Sequence, residues 1–187
     1  MTHLSTLMPA TRLAGATTML LLAAGIFLVL PSPAEANPVF VPKATERCVA
    51  KATAASKTKS GHAVLDCVGL AAQACMNTPG GDTTVGMMDC LKGELDYWDG
   101  KLNAAYAKRR AEAKAEDAEM KRIGASSTKL DESLRKMQLA WIAYRDAACL
   151  HEQAKWQGGT GGGPATMACH MNETARQALK LDGWWPQ

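Results

Sequence analysis

Two groups of residues in this chain have the types and spacing to do chemistry. The first is polar. Asp99, Leu102, Asn103 and Tyr106 recur at helical intervals, and so do Gln138, Trp141, Arg145 and Cys149. On two antiparallel helices these steps set an acid and an amide (Asp99, Asn103) opposite a guanidinium and an amide (Arg145, Gln138), with Trp141 beside them. An Asp facing an Arg is held as the anion and makes a poor proton donor. The arrangement therefore reads as a structural clasp that fixes helix register, with Arg145 largely buried against Asp99 or, second, Asp96. The second group is Cys149-Leu-His151 and Cys169-His170. Two Cys and two His could hold a zinc ion, but the C-x-H…C-H spacing matches no established zinc pattern. No Ser/His/Asp or Cys/His set has catalytic spacing, and the Gly-rich run 158–164 lacks the lysine of a phosphate loop. No metal, no cofactor and no catalytic residue is expected.

The compartment decides what the cysteines do. Arg12 is the only charge before an apolar run from Leu13 to Leu30, which Pro31 and Pro33 end; Ala34-Glu35-Ala36 follows. This is the order of a secretory signal, expected to be cleaved after Ala36; the other reading is an uncleaved membrane anchor, for which the 18-residue run is short. The mature chain would then be periplasmic or secreted and free of the membrane. All six cysteines lie after residue 36. An even number in an exported small domain reads as disulfides. Cys149 and Cys169 flank the glycine-rich reversal, Cys75 and Cys90 flank the turn at 78–83, and Cys48 and Cys67 remain as a pair across a first hairpin.

The elements that must position these groups are helices. Strand signals are sparse, and Ala, Lys, Glu, Leu and Met dominate. Met88, Leu91, Leu95, Trp98, Leu102 and Ala105 form one apolar stripe; Leu130, Leu134, Met137, Trp141, Tyr144 and Ala148 form a second; Met167, Met171, Thr174, Ala178 and Leu181 form a third. Helices are expected at about 83–122, 128–156 and 164–181, with shorter ones near 44–57 and 62–77. Asp82 or Thr83 can cap the first long helix, and Thr128 with Asp131 the next. The run 158–164 is expected to be non-helical. Residues 107–122, charged nearly all round, read as a solvated helix projecting beyond the core. The fold class is all-α: a small disulfide-stapled bundle of antiparallel helical hairpins with one long helix.

The order of these pieces resembles the LprI-type lysozyme-inhibitor family of exported bacterial proteins. Asp99, Leu102, Asn103 and Tyr106 match its first motif. Gln138, Trp141, Ile142, Tyr144, Arg145, Asp146 and Cys149 match the second. Cys169, Thr174, Arg176 and, displaced by one residue, Leu179 match the last; Cys75 and Cys90 resemble its early cysteines. The resemblance divides the chain into a signal segment (1–36), an N-terminal extension with a short helical hairpin (37–74) and an LprI-like helical domain (75–187). It implies a protein that binds and blocks a peptidoglycan-cleaving muramidase such as lysozyme. The other reading is a periplasmic interaction module without inhibitory activity.

Charge bears on partners. The net charge of +3 is too mild for a nucleic-acid binder. It also gives no long-range attraction toward basic lysozymes. Two acidic clusters could offset this locally: Glu94, Asp96 and Asp99, and Glu112, Glu116, Asp117 and Glu119.

Overall fold

The computed structural model describes residues 37–55, 61–125 and 129–184, with backbone alone for 61 and 62. The signal segment read at 1–36, Thr128 and Trp185 lie outside the described residues. Among the described residues six helices follow one another: α1 (Lys43–Ala55), α2 (Gly61–Leu65), α3 (Leu70–Met76), α4 (Thr84–Arg122), α5 (Leu130–Ala154) and α6 (Gly162–Leu181). No strand occurs among the described residues, and the molecule is an all-α bundle closed by disulfides.

The 39-residue α4 is about 58 Å long and organises the rest. Its most extensive partner is α6, which lies beside it in the same direction. Gly163 at the start of α6 faces Met88, and Arg109 reaches Leu181 at the end of α6. Helix α5 returns antiparallel to both. The core is the seam of α4 and α6: Leu91, Trp98, Leu102 and Ala105 against Met171, Ala175, Ala178 and Leu179, with Val64 and Ala72 added from α2 and α3. The first and third sequence stripes account for most of it.

The second stripe behaves differently. Leu134, Met137 and Trp141 are half-buried, but Tyr144 is 62% exposed, and only Gln138 and Cys149 of α5 are fully covered. The buried face of α5 rotates from 137 and 141 toward 145 and 149, because Cys149 must face Cys169. Tyr144 sits one residue off that line and points outward.

Three other expectations change. The helix expected at 62–77 is two, because Gly69 adopts a left-handed φ of 92° between α2 and α3. The glycine run is partly helical: Gly162, Gly163 and Pro164 form the first turn of α6. A first turn has no intrahelical use for the N–H that proline lacks. Gly163 lies close against Met88: an added Cβ would lie 2.8 Å from the Met88 sulfur and would make that flexible side chain move. The charged half of α4 does not simply project. Asp117 accepts hydrogen bonds from the backbone N–H of Leu130 (2.8 Å) and Asp131 (3.1 Å), which caps α5, and Arg110 grips Asp131 through two bonds of 2.6 and 2.7 Å. That grip, chiefly the hydrogen bond, holds the Asp131 carboxyl below its ordinary pKa and raises Arg110 above its own.

Candidate functional site

The polar residues singled out in the sequence form three separate pairs, not one clasp. Asp99 accepts a hydrogen bond from Asn103 Nδ2 (2.9 Å) on the exposed side of α4. Gln138 Oε1 accepts from Gln177 Nε2 (2.9 Å), a buried amide pair that ties α5 to α6. Arg145 donates Nε and Nη2 to its neighbour Asp146 (2.9 and 2.8 Å), and its guanidinium lies 5.0 Å from the centre of the Trp141 ring. The expected contact of Arg145 with Asp99 or Asp96 does not form. Helix α5 lays this face on α6, whereas Asp99 and Asp96 face solvent on α4; Asp96 pairs with Lys92 (2.6 Å). The Arg145 side chain is mostly covered, with 20% of its surface exposed, by the indole and by α6. Trp141 also floors a shallow 240 Å³ cleft with Arg176 and Lys180.

The acid with a central structural role is Glu94, which the sequence reading placed in a surface patch. It is fully buried. Oε1 accepts from Thr45 Oγ1 (2.8 Å), from the Gly69 N–H (2.7 Å) and from Trp98 Nε1 (3.3 Å); Oε2 accepts from the Ala72 N–H (2.7 Å). Thr45 in turn accepts from the Ala71 N–H (3.0 Å). A carboxylate from α4 thus satisfies the open N–H groups at the start of α3. Asp117 does the same for α5, and Arg109 Nε donates to the Leu181 carbonyl (2.6 Å) at the end of α6. The long helix carries acids to two N-termini and a base to a C-terminus. The only sequence signal for Glu94 is its position: 94 falls between the core residues Leu91 and Trp98 on the same face.

The second expected acidic patch is largely neutralised in place. Glu112 pairs with Arg109 (2.9 Å), Glu119 with Arg122 (2.6 Å), and Asp117 caps α5.

The cysteines form three disulfides, Cys48–Cys67, Cys75–Cys90 and Cys149–Cys169. The thiols that a zinc ion would need at 149 and 169 are thereby bonded to each other. Among the described residues no group of three or more His, Cys, Asp or Glu is placed to hold a metal. Burial and the nearby Arg145 lower the His170 pKa, partly offset by Asp146.

The most accessible feature is the reversal between α5 and α6. Residues 153–160 are exposed throughout. Trp156 is 52% exposed and rests its ring on Gly161, where an added Cβ would run into it. On the outer face of α5, Leu150 is 64% and Leu139 65% exposed, with Ala143 and Ala147 between them. The Cys149–Cys169 bond fastens the base of this reversal.

The family described as "Lysozyme inhibitor LprI" matches residues 75–181. A protein of Rhodobacter capsulatus, described as an uncharacterized 17.7 kDa protein in the puhA 5′ region, is 26% identical over 139 residues, covering 74% of this chain and 82% of the relative. No solved structure matches.

Proposed function

The chain belongs to the LprI lysozyme-inhibitor family, and from that premise we propose that it is exported and blocks a muramidase through the α5–α6 reversal and the outer face of α5. Export is supported by three disulfides, which persist in oxidising compartments. Among the described residues no helix is long and apolar enough to cross a membrane.

The observation that carries the reading is Trp156: a half-exposed tryptophan on a covalently fastened turn. Exposed aromatic anchors dominate binding energy at interfaces, and a turn already held in place loses little entropy when it docks. Leu150 and Leu139 extend the same apolar surface. The acidic patches contribute little, because Glu94 is buried and most of the other acids already have cationic or backbone partners. Recognition is then by contact rather than by long-range attraction, in keeping with the chain's net charge of +3.

The test is lysozyme clearance of cell-wall suspensions with increasing amounts of the disulfide-intact protein. Clearance slows in proportion to added protein and changes little between low and high salt. Trp156→Ala relieves the inhibition while the helical spectrum and melting temperature hold. No slowing with several lysozyme types, at protein in excess over enzyme, would instead mark an envelope interaction module without inhibitory activity.

A further inference from the structure

A second cavity is built with α1 and α2, helices that do not touch α5. A 390 Å³ cleft opens between α1, α2, α4 and α6. That volume lies within the range of small-molecule sites. Its floor is apolar: Val49, Val64, Trp98, Ala105 and Leu179. Tyr97 and Trp184 stand at its sides. Two lysines, Lys101 and Lys108, line it from α4, their backbone positions two turns and so about 10 Å apart along the helix axis.

Charge gives the cleft its selectivity. Lys101 Nζ sits 5.5 Å from the centre of the Tyr97 ring. Among the described residues neither lysine has a carboxylate partner. Asp182, the one acid among the described lining residues, accepts a hydrogen bond from Trp184 Nε1 at 2.8 Å. An apolar floor with two available cations at its edge suits a molecule that is apolar at one end and anionic at the other. Val49, Thr53 and Val64 precede residue 75, so the cleft is built partly from sequence outside the family match. The Cys48–Cys67 bond beside Val49 holds that wall in place.

We propose that this cleft binds a single-chain amphiphile with an anionic head, its apolar body against Trp98 and its head between Lys101 and Lys108. The apolar part supplies most of the binding energy and the lysines the choice of head group.

Three probes with one chain length separate these contributions: dodecanoate, dodecanol and dodecyltrimethylammonium, each below its micellar concentration. Binding is read by tryptophan emission, since Trp98 forms the floor, and by calorimetry. Dodecanoate saturates with a single equivalent and binds about tenfold or more tighter than the cationic probe, with the alcohol between them. The double variant Lys101→Gln/Lys108→Gln brings the three affinities together. Ala104→Trp, at an exposed lining position, blocks the cleft and abolishes binding at an unchanged melting temperature. Absence of saturable binding overturns the proposal. So does equal affinity for all three probes in the unaltered protein, or binding that persists unchanged in a stably folded Ala104→Trp protein.

Discussion

Two turns in this molecule are closed by the same device and are used in opposite ways. Cys75–Cys90 closes the turn between α3 and α4, and Cys149–Cys169 closes the reversal between α5 and α6; the sequence separations are 15 and 20. The first turn exposes the side chains of Asn77, Thr78, Pro79, Asp82 and Thr83 but packs its glycine backbone against the start of α4. Gly81 and Gly86 are buried, and Thr83 caps α4 through the Gly86 N–H (3.0 Å). A Cβ on Gly86 would run into the Gly80 carbonyl. Helix α3, which leads into this turn, is anchored at its start by Glu94. The second turn is exposed from 153 to 160, and its largest side chain, Trp156, lies on the surface. A disulfide limits the freedom of the unfolded chain wherever it sits. What surrounds it decides whether the closed loop joins the core or is presented to a partner.

The largest expected effect tests the packed side. Glu94→Ala strands the N–H groups of Gly69 and Ala72 and the Trp98 indole in a buried space, and is expected to lower stability by about 3–5 kcal/mol in urea unfolding. Glu94→Gln recovers part of this by keeping one acceptor oxygen. A loss close to zero for Glu94→Ala would mean that water replaces the carboxylate and that this end is not closed.

Next come the staples themselves. Replacing either cysteine pair, 75/90 or 149/169, by serines is expected to cost about 3 kcal/mol, since the two loops are of similar length. Inhibition of lysozyme separates them. At a temperature where both variants remain folded, only loss of Cys149–Cys169 relieves it. Equal relief from both would erase the distinction between the packed turn and the presented one.

Single alanines sharpen the contrast. Gly86→Ala pushes a methyl group into backbone that cannot yield, and about 1–3 kcal/mol of destabilisation is expected. Gly161→Ala meets the Trp156 ring, a side chain that can swing away. Its cost is expected to stay within about 0.5 kcal/mol, while Trp156 emission shifts toward that of a solvated indole.

The smallest effect is one of pH. The folded-state pKa of His170 lies below its ordinary value of 6.5, through burial first and Arg145 second. Its contribution to stability is complete above pH 6.5 and declines as the pH falls from there toward the lowered pKa. The melting temperature should therefore slip slightly on acidification through that window. His170→Gln should remove that component and leave the packed turn unaffected.

Much of the fold was legible in the sequence. The stripes through Leu91, Trp98 and Leu102 and through Met171 and Ala178 identify the two helices that share the core, because a 3.6-residue period with no competing strand signal admits one reading. The places of Cys149 and Cys169 on either side of the glycine reversal point to their pairing; Cys75 and Cys90 flank a turn in the same way, but six cysteines allow fifteen connectivities and the structure settles the other two bonds. The candidate site was less legible. Arg145 and Asp99 are both on helices at suitable spacing, but spacing fixes a face only relative to its own axis. Which neighbour that face meets depends on how α5 rolls onto α6. The roll is set by Cys149 and by the Gln138–Gln177 pair, and it turns Tyr144 outward.

By itself, then, the sequence determined the three long helices, their order and the closure of the glycine reversal by Cys149 and Cys169, because these follow from local periodicity, turn chemistry and an even set of cysteines. Only the tertiary structure decided the roles of the charges. Glu94, Asp117 and Arg109 look alike in sequence to the solvated acids and bases around them. What distinguishes them is that the open end of another helix lies within hydrogen-bond reach, at chain separations of 22 residues for Glu94 and Ala72, 13 for Asp117 and Leu130, and 72 for Arg109 and Leu181. Partners that far apart along the chain meet only once the bundle has formed, so no local pattern could have named them, even where, as for Glu94, position on the apolar face marks the acid for burial.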